Sequence, residues 1–122
     1  MVHALNKGKE GERQAAKWLK LKFKLETEPM RNLDQTRSGG FDLVGFPPFA
    51  FEIKRCETLS LRSWWIQVVN SATTEYSIPV VMFRQNRGKW SFLISAQYVG
   101  LTNGYIRLEE VEFIKWANLQ LA

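Results

Sequence analysis

Cysteine and histidine are the scarcest chemically versatile residues in this chain, one of each in 122 residues. Cys56 has no partner for an internal disulfide, and with His3 alone it cannot build the Cys and His clusters that hold zinc. Nucleophilic catalysis at Cys56 is disfavoured as well, because its only possible imidazole base is His3 near the chain start; Cys56 reads as a bystander. No apolar run approaches the roughly 20 residues of a membrane span, and the opening Met1-Val2-His3-Ala4-Leu5-Asn6-Lys7 has no extended apolar core. A cytoplasmic protein is the expectation. Low-complexity tracts and internal repeats are missing too, so residues 1–122 are expected to form one domain with a real core.

Acidic residues are scarce in one place. Lys7, Lys9, Arg13, Lys17, Lys20, Lys22 and Lys24 face only Glu10 and Glu12 within residues 1–24, whereas the rest of the chain holds ten bases and ten acids. The net charge of +5 therefore sits wholly in the first helix and its lead-in. Such a face suits phosphate-backbone contact, which is sequence-independent and salt-sensitive. The alternative is a solvated lysine-rich surface.

Periodicity predicts a first helix from Lys7 or Gly8 to Lys24, with Asn6 as N-cap and Ala15, Ala16, Leu19 and Phe23 on its apolar side. Trp18 lies at the margin of that stripe. Glu12, three and four residues before Ala15 and Ala16, projects from the same side, where a carboxylate is costly unless paired or bound to metal. The bland alternative is a favourable charge in the first helical turn. Leu25 to Leu33 reads as a strand, followed by a loop, Asp34 to Gly40, whose Arg37, Ser38 and glycine amides could meet a phosphate. A second helix is expected from Leu61 to Tyr76, with Trp64, Trp65, Val68, Val69, Ala72 and Tyr76 apolar and Gln67 on the border. Ile78 to Arg84 reads as a strand buried on both faces, with Gln85-Asn86-Arg87-Gly88 turning into a strand from Trp90 to Ile94. A helical turn near Ser95 to Val99, a glycine-rich loop and a helix from Glu109 to Leu119 complete the chain; Glu109, Glu110 and Glu112 suit that helix's positive end. The expected order is α-β-β-β-α-β-β-α, a mixed sheet flanked by helices, hence an α/β fold. Trp64, Trp65, Trp90 and Trp116 are candidates for exposed aromatics, although core packing accounts for most tryptophans.

The sharpest local signal is a hairpin. Phe41-Asp42-Leu43-Val44 and Phe49-Ala50-Phe51-Glu52-Ile53-Lys54 read as its two arms. Strand alternation puts Glu52 and Lys54 on one face and Phe51 and Ile53 on the other. If Gly45 faces Phe49 across an odd-numbered loop, Asp42 falls opposite Glu52; an even loop would send Asp42 to the other face. Two carboxylates about 5 Å apart repel by roughly 3 kcal/mol at an effective dielectric of 20, a cost that a hard divalent cation would turn into binding. Taken alone, Glu-x-Lys on a strand is more often a solvated charge pair.

In chain order, Gly8-x-x-x-Glu12-Arg13, Ser38-Gly39-x-x-Asp42, Glu52-x-Lys54 and Gln67 together resemble the PD-(D/E)XK nuclease superfamily, most closely its archaeal-type Holliday junction resolvases and their phage-encoded relatives. The similarity covers residues 6–95, with Phe41 standing where the superfamily's name has Pro. The resemblance implies a restriction-endonuclease-like core and a metal-dependent DNA endonuclease. In that reading Asp42, Glu52 and the Ile53 carbonyl hold Mg2+, or Mn2+ in its place, and Glu12 completes the site directly or through water. Lys54 activates the attacking water and stabilises phosphate charge, while Gln67 supports Lys54 or the water. Lys7, Lys9, Arg13, Lys17, Arg37, Ser38 and Arg55 are the expected DNA contacts. A resolvase makes two symmetric cuts, so its substrate would be a four-way junction and its assembly a homodimer. Competing expectations are a replication or repair nuclease acting on flaps or ends, a nucleic-acid-binding module without catalysis, and a protein-interaction domain.

Overall fold

The computed structural model describes residues 2–33 and 40–122, with the side chains of 2–7 left out of the description. Its elements are α1 (Val2–Phe23), β1 (Met30–Arg31), β2 (Leu43–Val44), β3 (Phe49–Arg55), α2 (Leu61–Ser71), β4 (Ile78–Arg84), β5 (Ser91–Ser95), a 3-10 turn (Ala96–Val99), β6 (Tyr105–Glu109) and α3 (Glu110–Leu121). The strands form one six-stranded sheet in the order β1-β2-β3-β4-β5-β6. Only the β3–β4 pair is parallel, which is why α2 must cross over between them; every other neighbouring pair is antiparallel. The mixed, helix-flanked sheet is the expected α/β class.

Strand alternation sorts the core into two layers. Phe49, Phe51, Ile53, Val80, Met82, Phe92 and Ile94 pack beneath Ala15, Ala16 and Leu19 of α1 and Phe113 and Ala117 of α3. The Phe92 and Phe113 rings stack at 3.9 Å. On the other face, Val81, Phe83 and Leu93 meet Trp64 and Val68 of α2. β4 serves both layers, so its sequence is apolar from Ile78 to Phe83, and the strand matches the expected Ile78 to Arg84 residue for residue.

Several boundaries differ from expectation. α1 starts at Val2, which places Asn6 inside the helix and not at its cap. The strand expected over Leu25 to Leu33 shrinks to Met30–Arg31, because Pro29 lacks the N–H a longer ladder would need. α2 ends at Ser71, whose hydroxyl donates to the Val68 carbonyl at 2.8 Å, and Ala72 is already extended. Tyr76 is thus off the helix and packs on Phe41 with ring centroids 4.7 Å apart. β6 adds a strand that the expected order lacks: Tyr105-Ile106-Arg107-Leu108-Glu109 alternates at a half-exposed sheet edge, directly before the acidic helix start that drew attention to Glu109. Glu109 itself both ends β6 and caps α3, its N–H accepted by Glu112 at 2.8 Å in a capping box. Trp64 and Trp90 are buried at 7% and 3% exposure, so neither is an exposed aromatic.

Candidate active site

The hairpin register is the one that brings the two acids together. Leu43 lies opposite Phe51, the register in which Gly45 faces Phe49. Gly45 makes the turn possible with φ at +103°, in the left-handed region, and its N–H donates to the Tyr76 hydroxyl at 3.1 Å. Regular pairing stops at Leu43. The Asp42 N–H donates to the Phe51 carbonyl at 2.7 Å, and its own carbonyl accepts from the Asn32 N–H at 2.8 Å. Asp42 therefore bridges β1 and β3, and its side chain is free to turn along β3, where Oδ2 accepts from the Ile53 N–H at 2.7 Å.

Glu52 and Lys54 leave β3 on the α2 side, opposite Phe51 and Ile53. Glu52 is 3% exposed and Asp42 6%. Gln67 Nε2, reaching from α2, donates to Glu52 Oε2 at 3.0 Å. Lys54 Nζ stands 3.5 Å from the same oxygen. The other oxygen, Oε1, is buried with no hydrogen-bond partner among the described residues. Burial, and after it the charge of Asp42, push the Glu52 carboxyl up to about 8 against the pull of Lys54. Asp42 is also raised, by burial first, with the Ile53 N–H and Lys54 acting the other way. Two buried acids thus share one nearby ammonium, too little positive charge for both to ionise comfortably, and the Glu52 carboxyl also acts on Asp42 as a hydrogen-bond partner that lowers its pKa.

Glu12 flanks this pair. Burial, then the charge of Asp42, raise it to about 7, while Arg31 and Lys9 pull it down. Arg31 Nε lies 3.2 Å from Glu12 Oε1 in an ion pair without hydrogen-bond alignment. Sequence reasoning missed Arg31, since its partner is fixed only when β1 crosses beside α1. Among the described residues no three of His, Cys, Asp and Glu converge closely enough to hold a metal. The candidate ligand set is therefore the Asp42–Glu52 pair, with Glu12 acting on it through charge. This donor set fits a hard divalent cation: both ligands are oxygen, one acceptor is orphaned, and Mg2+ commonly takes only one or two carboxylates from protein.

The expected DNA contacts divide into three groups. Lys9 and Arg13 line a cleft of about 280 Å³ with Glu12, Glu28 and Arg31, beside the acids and not over Glu52. Arg13 is also tied to Glu10 at 2.8 Å, and Lys17 is exposed further along α1. Arg55 turns to the α1 side of the sheet against Gly11. The Lys7 side chain, Arg37 and Ser38 lie outside the described residues. Cys56 donates to the Thr58 carbonyl at 3.3 Å and takes no part in the acid pair.

An acid on each arm of one hairpin, with the lysine two residues beyond the second acid and a glutamine reaching over from the crossover helix, places this fold among the PD-(D/E)XK nucleases. The particular family follows from residues 4–117, which match the one described as "Phage putative PDDEXK endonuclease", and the chain belongs to it. No curated protein and no solved structure matches the chain. No helix among the described residues is long and apolar enough to cross a membrane.

Proposed function

We propose that the chain is a divalent-cation-dependent DNA endonuclease, served by Mg2+ or Mn2+, that cuts branched DNA and in particular the four-way junction as a two-fold homodimer. The observation that carries the cation requirement is the buried, unpartnered Oε1 of Glu52 beside Asp42. The basic face of α1 supports a polyanionic partner. Preference for a junction rests on the order of the motifs, which resembles that of archaeal-type resolvases.

Asp42 and Glu52 would hold the cation, with the Ile53 carbonyl as a further oxygen. A cation so held supplies Lewis acidity at the phosphate and lowers the pKa of the attacking water. The protein's own contribution is positioning. The Ile53 N–H fixes Oδ2 of Asp42, and Oδ1 would remain for the cation. Gln67 fixes Glu52 Oε2 and leaves Oε1 without a hydrogen bond among the described residues. Lys54, once Glu52 is neutralised by a better partner, is free to donate to the phosphate oxygens or to the water. Gln67 is a positioning residue: Gln67→Ala is expected to lower the single-turnover cleavage rate about 10–100-fold with little change in DNA affinity. A rate within about twofold of the parent would remove Gln67 from the site.

The decisive assay compares four-way junction, flap and linear duplex in Mg2+, Mn2+ and EDTA, with Glu52→Gln as control. Paired symmetric cuts in the junction, dependent on cation and on Glu52, are the expected result. Cation-dependent cutting of flaps or ends alone would reassign the substrate. DNA binding that ignores cations, with no cleavage of any form, would overturn catalysis in favour of a binding module.

A further inference from the structure

Two arginines outside the acid pair stand side by side, and among the described residues neither forms an ion pair with an acid. Arg55 ends β3 and Arg84 ends β4, and the parallel register pairs them directly. Their backbones are then about 5 Å apart and their side chains leave the same face, the one covered by α1, opposite Glu52 and Lys54. One Arg84 terminal nitrogen donates to Gln14 Oε1, a neutral acceptor. Its guanidinium carbon lies 4.8 Å from the Trp90 ring centroid. The Nε atoms of both arginines are buried without a hydrogen-bond partner among the described residues. Among the described residues neither guanidinium is within ion-pair distance of a carboxylate. Glu110 attracts Arg84 but gives its Oε2 to the Trp90 N–H at 3.0 Å. α1 presses on Arg55 at Gly11, where an added Cβ would come within 3.2 Å of the Arg55 Cβ, so the arginine's stem is held in place.

Like charges on neighbouring strands destabilise a sheet. Burial, with the charge of Arg55 next, lowers the pKa of Arg84, a cost that a bound anion would relieve. Pre-positioned guanidiniums with donors to spare are what recognise an oxyanion in two-pronged fashion. We infer that Arg55 and Arg84 together bind one backbone phosphate of the DNA, distinct from the phosphate being cut. The inference rests on the nuclease reading and gives that site a second anchor. β3 and β4 both end at these residues, so a DNA strand crossing the end of the sheet passes from Lys54 on one side to Arg55 on the other. Arg55 is three residues beyond Glu52, about 10 Å along the strand, and leaves the opposite face, so the phosphate it would hold is not the one at the acid pair.

The test is the salt dependence of DNA binding by the full chain in EDTA, on junction and on linear duplex, for the parent, Arg55→Gln, Arg84→Gln and the double variant. Each single variant should flatten the plot of log affinity against log salt by about one, the signature of one lost phosphate contact, and equally on both DNAs. The double variant should flatten it no further, because the two arginines share one phosphate. Arg84→Gln also loses its contacts to Gln14 and Trp90, so melting temperature is read alongside. Arg55→Gln gives up no hydrogen bond and relieves a like-charge contact, so it should melt at or above the parent while binding DNA more weakly, a combination that a purely structural arginine does not produce. Slopes equal to the parent's overturn the phosphate anchor and leave the nuclease reading standing. A parent chain that shows no salt-dependent DNA binding overturns both. Stabilisation by inorganic phosphate that is lost in Arg55→Gln, with DNA slopes unchanged, would show a small-anion site and overturn the assignment to DNA.

Discussion

Asp42→Asn, Glu52→Gln and Lys54→Ala proteins are expected to bind DNA and fail to cut it, each losing about 10³-fold or more in single-turnover cleavage, equivalent to about 4 kcal/mol of transition-state stabilisation. In the proposed site the three side chains serve one reacting phosphate, so their losses should not add. Asn and Gln preserve volume and hydrogen-bonding shape: Gln at 52 still offers a carbonyl oxygen to Gln67, and Asn at 42 one to the Ile53 N–H. What they remove is negative charge, the property that holds a cation. Removing it also lessens repulsion of the phosphate backbone, so DNA affinity in EDTA should stay level or rise for the two acid variants. Lys54→Ala removes the ammonium 3.5 Å from Glu52 and leaves that buried acid with Gln67 as its remaining side-chain hydrogen-bond donor. Cleavage kinetics in Mg2+ beside anisotropy in EDTA measure both quantities. Full activity in any one of the three would overturn the site assignment.

Much of this site was legible because strand alternation is strict. Once Leu43 is placed opposite Phe51, no freedom remains over which face carries Glu52 and Lys54, and the apolar partners Phe51 and Ile53 lock that choice into the core. Gln67 was found on the border of its helix's apolar face and through the resemblance, and the parallel β3–β4 pair places that crossover helix over Glu52's face. Arg31 could not be found this way, because a two-residue strand carries no periodicity and its pairing with Glu12 depends on how β1 sits against α1. Glu12 was recognised as misplaced on an apolar face, yet its distance from the acid pair is set by the tertiary approach of α1 and leaves it acting on Asp42 through charge. β6 escaped because a half-exposed edge strand of five residues, between a glycine-rich loop and a helix cap, resembles connecting chain in every local respect. Arg55 and Arg84 are far apart in sequence, and only the parallel register makes them neighbours.

The same buried acids should make the cation-free protein less stable as pH rises, and Glu52→Gln should reverse much of that loss. Glu52 moves from an ordinary value of 4.5 to about 8 on folding, and Glu12 from 4.5 to about 7, with Asp42 raised as well. Between those limits the folded chain binds more protons than the unfolded chain, so linkage makes stability fall with rising pH. The carboxyl contribution is complete below about pH 4.5, declines through pH 7 and levels off above about pH 8. At 1.36 kcal/mol per unit, Glu52 carries a destabilisation on the order of a few kcal/mol at pH 8.5, lessened by whatever proton it shares with Asp42. Gln at this position keeps the bond to Gln67 and has nothing to ionise. Glu52→Gln should therefore melt several degrees above the parent at pH 8.5 and close to it at pH 5. Magnesium should act in the opposite sense, raising the parent's melting temperature more at pH 8.5 than at pH 5, because the cation binds the deprotonated pair, and raising that of Glu52→Gln little at either pH. Calorimetry across pH 5–8.5, with and without Mg2+, measures all of these shifts. A Glu52→Gln protein that melts below the parent at pH 8.5 would mean that Glu52 is stabilised as a carboxylate by the fold itself, through Lys54 and Gln67, with no charge left over for a cation to satisfy.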